Sequence, residues 1–99
     1  MIYLTAAFQA KSGKESELEE TLLGMMPETA KETGTLEYRL HKSQKTEGAF
    51  FFYEKYSDQA ALDVHLESTH YKTLVTLIGP MLASEPIVDT YKFIEGIPE

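Results

Sequence analysis

The run Phe50-Phe51-Phe52-Tyr53-Glu54-Lys55-Tyr56, followed at once by Ser57-Asp58 and Ala60-Ala61-Leu62-Asp63-Val64-His65, constrains the fold more than any other stretch. Aromatic and β-branched residues favour a pleated, half-buried surface, so the consecutive aromatics read as a buried strand. Ser57 and Asp58 supply the turn and cap at which a strand hands over to a helix. Within that helix Leu62, His65 and Leu66 stand at i, i+3 and i+4, which puts an imidazole on the apolar face. A titratable ring facing an aromatic strand is either a core histidine with its hydrogen bonds met or the working group of an apolar pocket.

The flanking segments supply the rest of the order. Ile2 to Ala10 alternates with period two and predicts a strand. Ser12-Gly13-Lys14-Glu15 fits a capping box with Ser12 as N-cap, and Leu18, Leu22 and Met25 give the helical stripe behind it. Pro27 is expected to kink or divide this helix, and Gly34 to end it in a left-handed cap. Leu36, Tyr38 and Leu40 alternate with Glu37, Arg39 and His41 as a second strand, joined through Lys45-Thr46-Glu47-Gly48 to the Ala49–Tyr56 strand as a hairpin. Asp58 to Glu67 is a short helix. Ser68-Thr69 breaks it and caps the next, whose stripe is Tyr71, Leu74, Val75, Ile78 and Leu82, weakened late by Gly79-Pro80. Ile87 to Ile94 is a last strand. The order β-α-β-β-α-β is the ferredoxin-like α+β arrangement, over one domain spanning residues 1–99. Helices on one sheet face leave the other carrying exposed aromatic and branched residues, so pairing of two such faces in a homodimer is expected.

Composition excludes several function classes. The absence of cysteine removes disulfides, thiolate metal sites and thiol nucleophiles. A net charge of −7 with Arg39 as the only arginine opposes nucleic-acid binding, which needs a basic footprint. No apolar run approaches the ~20 residues that span a bilayer, and Met1-Ile2-Tyr3-Leu4 runs straight into strand alternation rather than a leader. A soluble cytoplasmic protein without membrane partners is the expectation. The glycines at 13, 24, 34, 48, 79 and 96 are scattered turn and cap positions, and no phosphate loop or dinucleotide fingerprint is present.

The pattern Tyr53-Glu54-x-Tyr56-x-Asp58-x-x-Ala61-x-x-x-His65-x-x-x-x-His70-Tyr71 resembles the signature of the antibiotic biosynthesis monooxygenase domain. Glu32-Thr33-Gly34-Thr35-Leu36-Glu37-Tyr38 resembles that family's acidic-glycine step into its second strand, and the likeness runs from Ile2 to about Ile94. The resemblance implies a dimeric α+β barrel, the scaffold of cofactor-free quinol and polyketide monooxygenases, haem-degrading monooxygenases and an isomerase of a phosphorylated signalling-sugar derivative. The chain has no tryptophan where many relatives carry one at Tyr56, which argues against the haem-degrading branch. The Thr69-His70-Tyr71-Lys72-Thr73 stretch is especially similar to the isomerase.

Under that resemblance His65 is the catalytic base, taking a proton from a phenol or an α-carbon at near-neutral pH. Glu54 shares a strand face with Phe50, Phe52 and Tyr56. Either it orients the His65 ring as a carboxylate–imidazole dyad, or it is an edge-strand residue pairing with Lys55 or Arg39. His70, just after the Ser68-Thr69 cap, either holds a substrate oxygen or phosphate at a helix start or is a surface ring. Tyr71 packs by its stripe position with its hydroxyl at the pocket mouth, and Phe52 and Tyr56 form the flat substrate-binding wall. His41 belongs to the polar face of its strand, and Met25, Met26 and Met81 are core fillers or pocket wall. His65 and His70 lie ~140° apart on a continuous helix and no third ligand presents itself, so neither a metal nor any other cofactor is expected.

The leading expectation is therefore a cofactor-independent monooxygenase of a quinol or another electron-rich phenolic small molecule. An isomerase or tautomerase using the same histidines without oxygen is the alternative, and a non-catalytic ligand-binding module the third.

Overall fold

The computed structural model describes residues 1–98. Eight α and β elements follow one another: β1 (Ile2–Gln9), α1 (Glu15–Leu23), α2 (Met26–Thr29), β2 (Thr35–Lys42), β3 (Ala49–Tyr56), α3 (Gln59–Glu67), α4 (Thr69–Ile78) and β4 (Ile87–Tyr91), with a 3-10 turn at Gly79–Met81. The strands form one antiparallel sheet in the order β2-β3-β1-β4. The ferredoxin-like order read from the sequence is the one observed.

Period-two alternation sets the sheet's two faces. Leu4, Ala6 and Phe8 of β1 stand opposite Glu54, Phe52 and Phe50 of β3, and all six are buried. Leu18, Leu22, Leu62, Leu74 and Ile78 come down from the helices onto this face, closing a single core. The opposite face is open. There Tyr3 lies against Tyr53 and Phe93 at 6.4 and 5.9 Å between ring centres, His41 stacks on Phe51 at 4.4 Å, and Ile87 and Tyr91 are exposed.

Several local expectations are corrected. Helix α1 begins at Glu15 behind Lys14 rather than Ser12, because Gly13 takes a left-handed φ of 91° and places the cap two residues later. Glu15 still reaches back, its Oε1 accepting the Gly13 N–H at 2.9 Å. Pro27 divides the helix, sitting in the first turn of α2 where a missing N–H costs no helical hydrogen bond. Gly34 is not a helix cap: α2 ends at Thr29 with Ala30 as its C-cap, and φ at Gly34 is not positive. It is small for a different reason, since a Cβ there would run into the Ala61 Cβ of α3. The last strand stops at Tyr91 rather than Ile94, and Val75 of the α4 stripe is exposed.

Asp58 caps α3 by accepting the Ala61 N–H at 2.8 Å. Ser68 ends α3 and starts α4: its Oγ donates to the His65 carbonyl at 2.6 Å and accepts the Tyr71 N–H at 3.2 Å. One residue in extended conformation thus replaces a continuous helix with an elbow. No helix among the described residues is long and apolar enough to cross a membrane.

Candidate functional site

A cavity of ≈ 540 Å³ opens between the sheet and α3–α4, lined among others by Tyr38, Phe52, Glu54, His65, Tyr71 and Leu74. His65 is 2% exposed, and its ring is surrounded by those of Tyr38, Tyr56, Tyr71 and His70 at 5.4 to 5.9 Å. Leu66 borders the cavity at the edge of α3. No lysine or arginine is among the residues that line it.

The partner of His65 is Glu32, not Glu54. Nδ1 of His65 lies 2.9 and 3.1 Å from the two Glu32 oxygens, and Nε2 of His70 lies 2.5 Å from Oε2. Thr35 Oγ1 donates to Oε1 at 2.6 Å. Burial opposes ionisation of Glu32, yet the hydrogen bonds from Thr35, His65 and His70 prevail and hold its carboxyl below the usual range. An ionised carboxylate only accepts, so both imidazoles donate to it, and His65 carries its proton on Nδ1. Burial, helped by the neighbouring His70, pushes the His65 pKa down against the pull of Glu32. The ring is therefore neutral at pH 7 with Nε2 as its basic atom.

Glu54 stands apart from this cluster. It is 4% exposed, lines the cavity, and accepts a 2.5 Å hydrogen bond from the Tyr56 hydroxyl at Oε1. Burial pushes its pKa up to about 7 in spite of that bond, with the Glu32 charge adding to the rise. Burial and the Glu54 carboxyl in turn raise the Tyr56 phenol, which stays neutral.

The remaining expected site residues divide by position. Phe52 and Tyr71 line the cavity; Tyr56, wholly buried, lies behind it with its hydroxyl spent on Glu54. The second ring of the wall is Tyr38, stacked on Phe52 at 4.4 Å and 26° between planes. His70 does not line this cavity but a separate groove beside Thr21, Met25 and Thr73. His41 is on the open sheet face, and Met25 and Met81 are buried in the core. Sequence reasoning assigned no role to Glu32, Thr35 or Tyr38. The only signal for Glu32 was its place in the acidic-glycine step before β2.

The ferredoxin-like α+β domain thus brings an apolar cavity together with a buried neutral imidazole held by a carboxylate and a second, protonatable carboxyl, groups of the kind that can accept and donate a proton. The sequence profile of the antibiotic biosynthesis monooxygenase family matches residues 1–77. The chain belongs to that family, which supports a general monooxygenase-like role. It is 30% identical over 87 residues to YcnE of Bacillus subtilis (strain 168), a protein provisionally named a monooxygenase, covering 88% of this chain and 90% of that one. Among solved structures it is similar to an antibiotic biosynthesis monooxygenase (TM-score 0.89, 27% identity, covering 96% of this chain and 100% of the other). It is similar also to Rv0793 from Mycobacterium tuberculosis (TM-score 0.90, 26% identity, 98% of each chain).

Proposed function

We propose that the protein is a cofactor-independent monooxygenase of a quinol or another electron-rich phenolic compound, with His65 as its base. The observation that carries this reading is the bond from His65 Nδ1 to Glu32 beside an apolar cavity. Glu32 fixes the tautomer and stabilises the imidazolium that forms when Nε2 accepts a proton. With an anthrone-like phenol, His65 removes a proton from the methylene carbon and leaves a carbanion conjugated with the ring. That anion passes one electron to O2, and recombination forms a C–O bond to a peroxide that takes the proton back from His65. Loss of the second methylene proton and departure of hydroxide, which becomes water, yield the carbonyl. The carbon centre loses four electrons and O2 gains four, one oxygen entering the product and the other leaving as water. Phe52 and Tyr38 supply the flat wall against which such a ring stacks.

A second reading is favoured by Glu54. A carboxyl with a pKa of about 7 on the same cavity as a neutral imidazole provides an acid and a base, which suits an isomerase or tautomerase of a small carbonyl compound. The lack of a lysine or arginine on the cavity wall favours an unphosphorylated substrate. In either case the protein acts as a cytoplasmic homodimer, joined through the open sheet face around Phe51, Ile87 and Tyr91.

The test is oxygen uptake by chelator-treated protein against reduced quinols and anthrone-like phenols, with His65→Ala in parallel. Uptake that His65→Ala abolishes supports the oxygenase. Turnover of a carbonyl substrate at the same rate under nitrogen selects the isomerase, and tight binding without product under either atmosphere leaves a binding module.

A further inference from the structure

The Ser68 elbow overturns the geometric ground on which a metal was not expected. On a continuous helix His65 and His70 would diverge; across the elbow their rings meet at 5.9 Å, and Glu32 enters between them as the third ligand the sequence did not offer. One nitrogen from each histidine and one Glu32 oxygen all lie within 4.8 Å of one another. We propose that Glu32, His65 and His70 form a three-ligand site for a divalent ion of the zinc type.

Several features of the cluster support this. Two imidazoles and one carboxylate are a donor set that suits zinc and its first-row neighbours, whereas magnesium and calcium prefer all-oxygen sites. Side-chain exposures of 2%, 9% and 21% for His65, Glu32 and His70 give a sheltered site with an approach from the His70 side. Thr35 Oγ1, bonded to Oε1 at 2.6 Å, fixes the carboxylate from behind, as outer-shell partners of metal ligands do. Tetrahedral zinc holds ligand atoms roughly 3.3 Å apart, so the 2.5 to 3.1 Å contacts of the hydrogen-bonded cluster need open by less than about 1 Å.

The ion and the proton compete for one atom. A metal on Nδ1 of His65 takes the place of the one ring proton, which this nitrogen now gives to Glu32, and shifts that proton to Nε2. The ring then has no free lone pair with which to act as a base. Zinc is accordingly an inhibitor of any reaction that uses His65, a consequence that rests on the base assignment above; the binding itself does not.

The test is calorimetric titration of zinc chloride into the chelator-treated full chain at neutral pH, with cobalt(II) absorption as a second reading of coordination. Wild type binds one ion per chain and gives the intense visible bands of a low-coordinate cobalt site. His70→Ala and Glu32→Gln weaken binding more than about tenfold, while His41→Gln, which alters a histidine on the opposite sheet face, leaves it unchanged. His70 is partly exposed, so its replacement by alanine keeps the fold, as circular dichroism checks. Absence of saturable zinc binding, or binding that His70→Ala leaves intact, overturns the proposal. Because neither reading involves substrate, failure here leaves the oxygenase assignment standing, and failure of oxygen uptake leaves the metal site standing.

Discussion

Nδ1 of His65 lies 2.9 and 3.1 Å from the two oxygens of Glu32, a residue 33 positions earlier in the chain. The bond fixes which ring nitrogen carries the proton, and therefore which nitrogen is free to take one.

Glu32→Gln should randomise that tautomer. An amide can present either its carbonyl or its NH2 to Nδ1, so the ring loses its enforced orientation and the imidazolium loses its counter-charge. We expect kcat to fall by roughly 10²-fold or more with a smaller change in KM. Nitrogen NMR of the His65 ring reads the same event without substrate: an Nδ1–H tautomer in wild type and a mixture in the variant. An unchanged tautomer in Glu32→Gln would remove the positioning role.

Glu54 makes stability depend on pH in a known direction. Its folded pKa of about 7 exceeds the ordinary 4.5, so the folded state binds the proton more tightly than the unfolded chain does. Stability from this group is complete below pH 4.5 and declines as pH rises from there through about 7. The shift amounts to a loss on the order of 3 kcal/mol once both states are ionised. Glu54→Gln is neutral throughout, so its Tm relative to wild type should climb between pH 5 and pH 8, roughly the span of the shift. A difference that stays flat across that range would mean Glu54 titrates normally.

Gly34 is small because Ala61 is close. Gly34→Ala should destabilise the fold by about 1–3 kcal/mol in denaturant titrations, through overpacking rather than backbone strain. Ala61→Gly in the same chain should return much of that loss. If it does not, the contact is not the cause.

Tyr38 forms the cavity wall with Phe52 but has no side-chain bond to the Glu32 cluster. Tyr38→Leu should raise KM for an aromatic substrate severalfold, consistent with ~1 kcal/mol of lost stacking, and change kcat less. A fall confined to kcat would place the Tyr38 hydroxyl in the chemistry instead.

Most of the scaffold is legible in the sequence because it is local. The alternation of Ile2–Ala10, the Ala49–Tyr56 run, the Asp58 cap and the double duty of Ser68 each express a period or a hydrogen bond closed within a few residues. The inward turn of His65 followed from its spacing with Leu62. What its ring bonds to did not, because Glu32 lies in a connection without periodicity and meets His65 only when α3 packs beside it. Tyr56 shows the same limit differently: alternation gave the correct face for it, but not its depth along the strand, and depth puts it behind the cavity rather than in its wall. Gly34 was noticed for the wrong reason, since room and backbone freedom leave the same letter in a sequence.

The elbow at Ser68 fixes the count of residues between the two histidines as firmly as their identity. Each residue added to or removed from a helix turns everything beyond it by about 100°. A single insertion between His65 and His70 would leave the sheet, the core and most of α4 able to form, yet swing one ring out of reach of Glu32. The β2–β3 turn, whose residues from Ser43 to Glu47 are exposed, faces no such arithmetic. Chains built on this plan can therefore lengthen at the hairpin while the joint between α3 and α4 holds its spacing, as a lock tolerates any handle but only one cut of key.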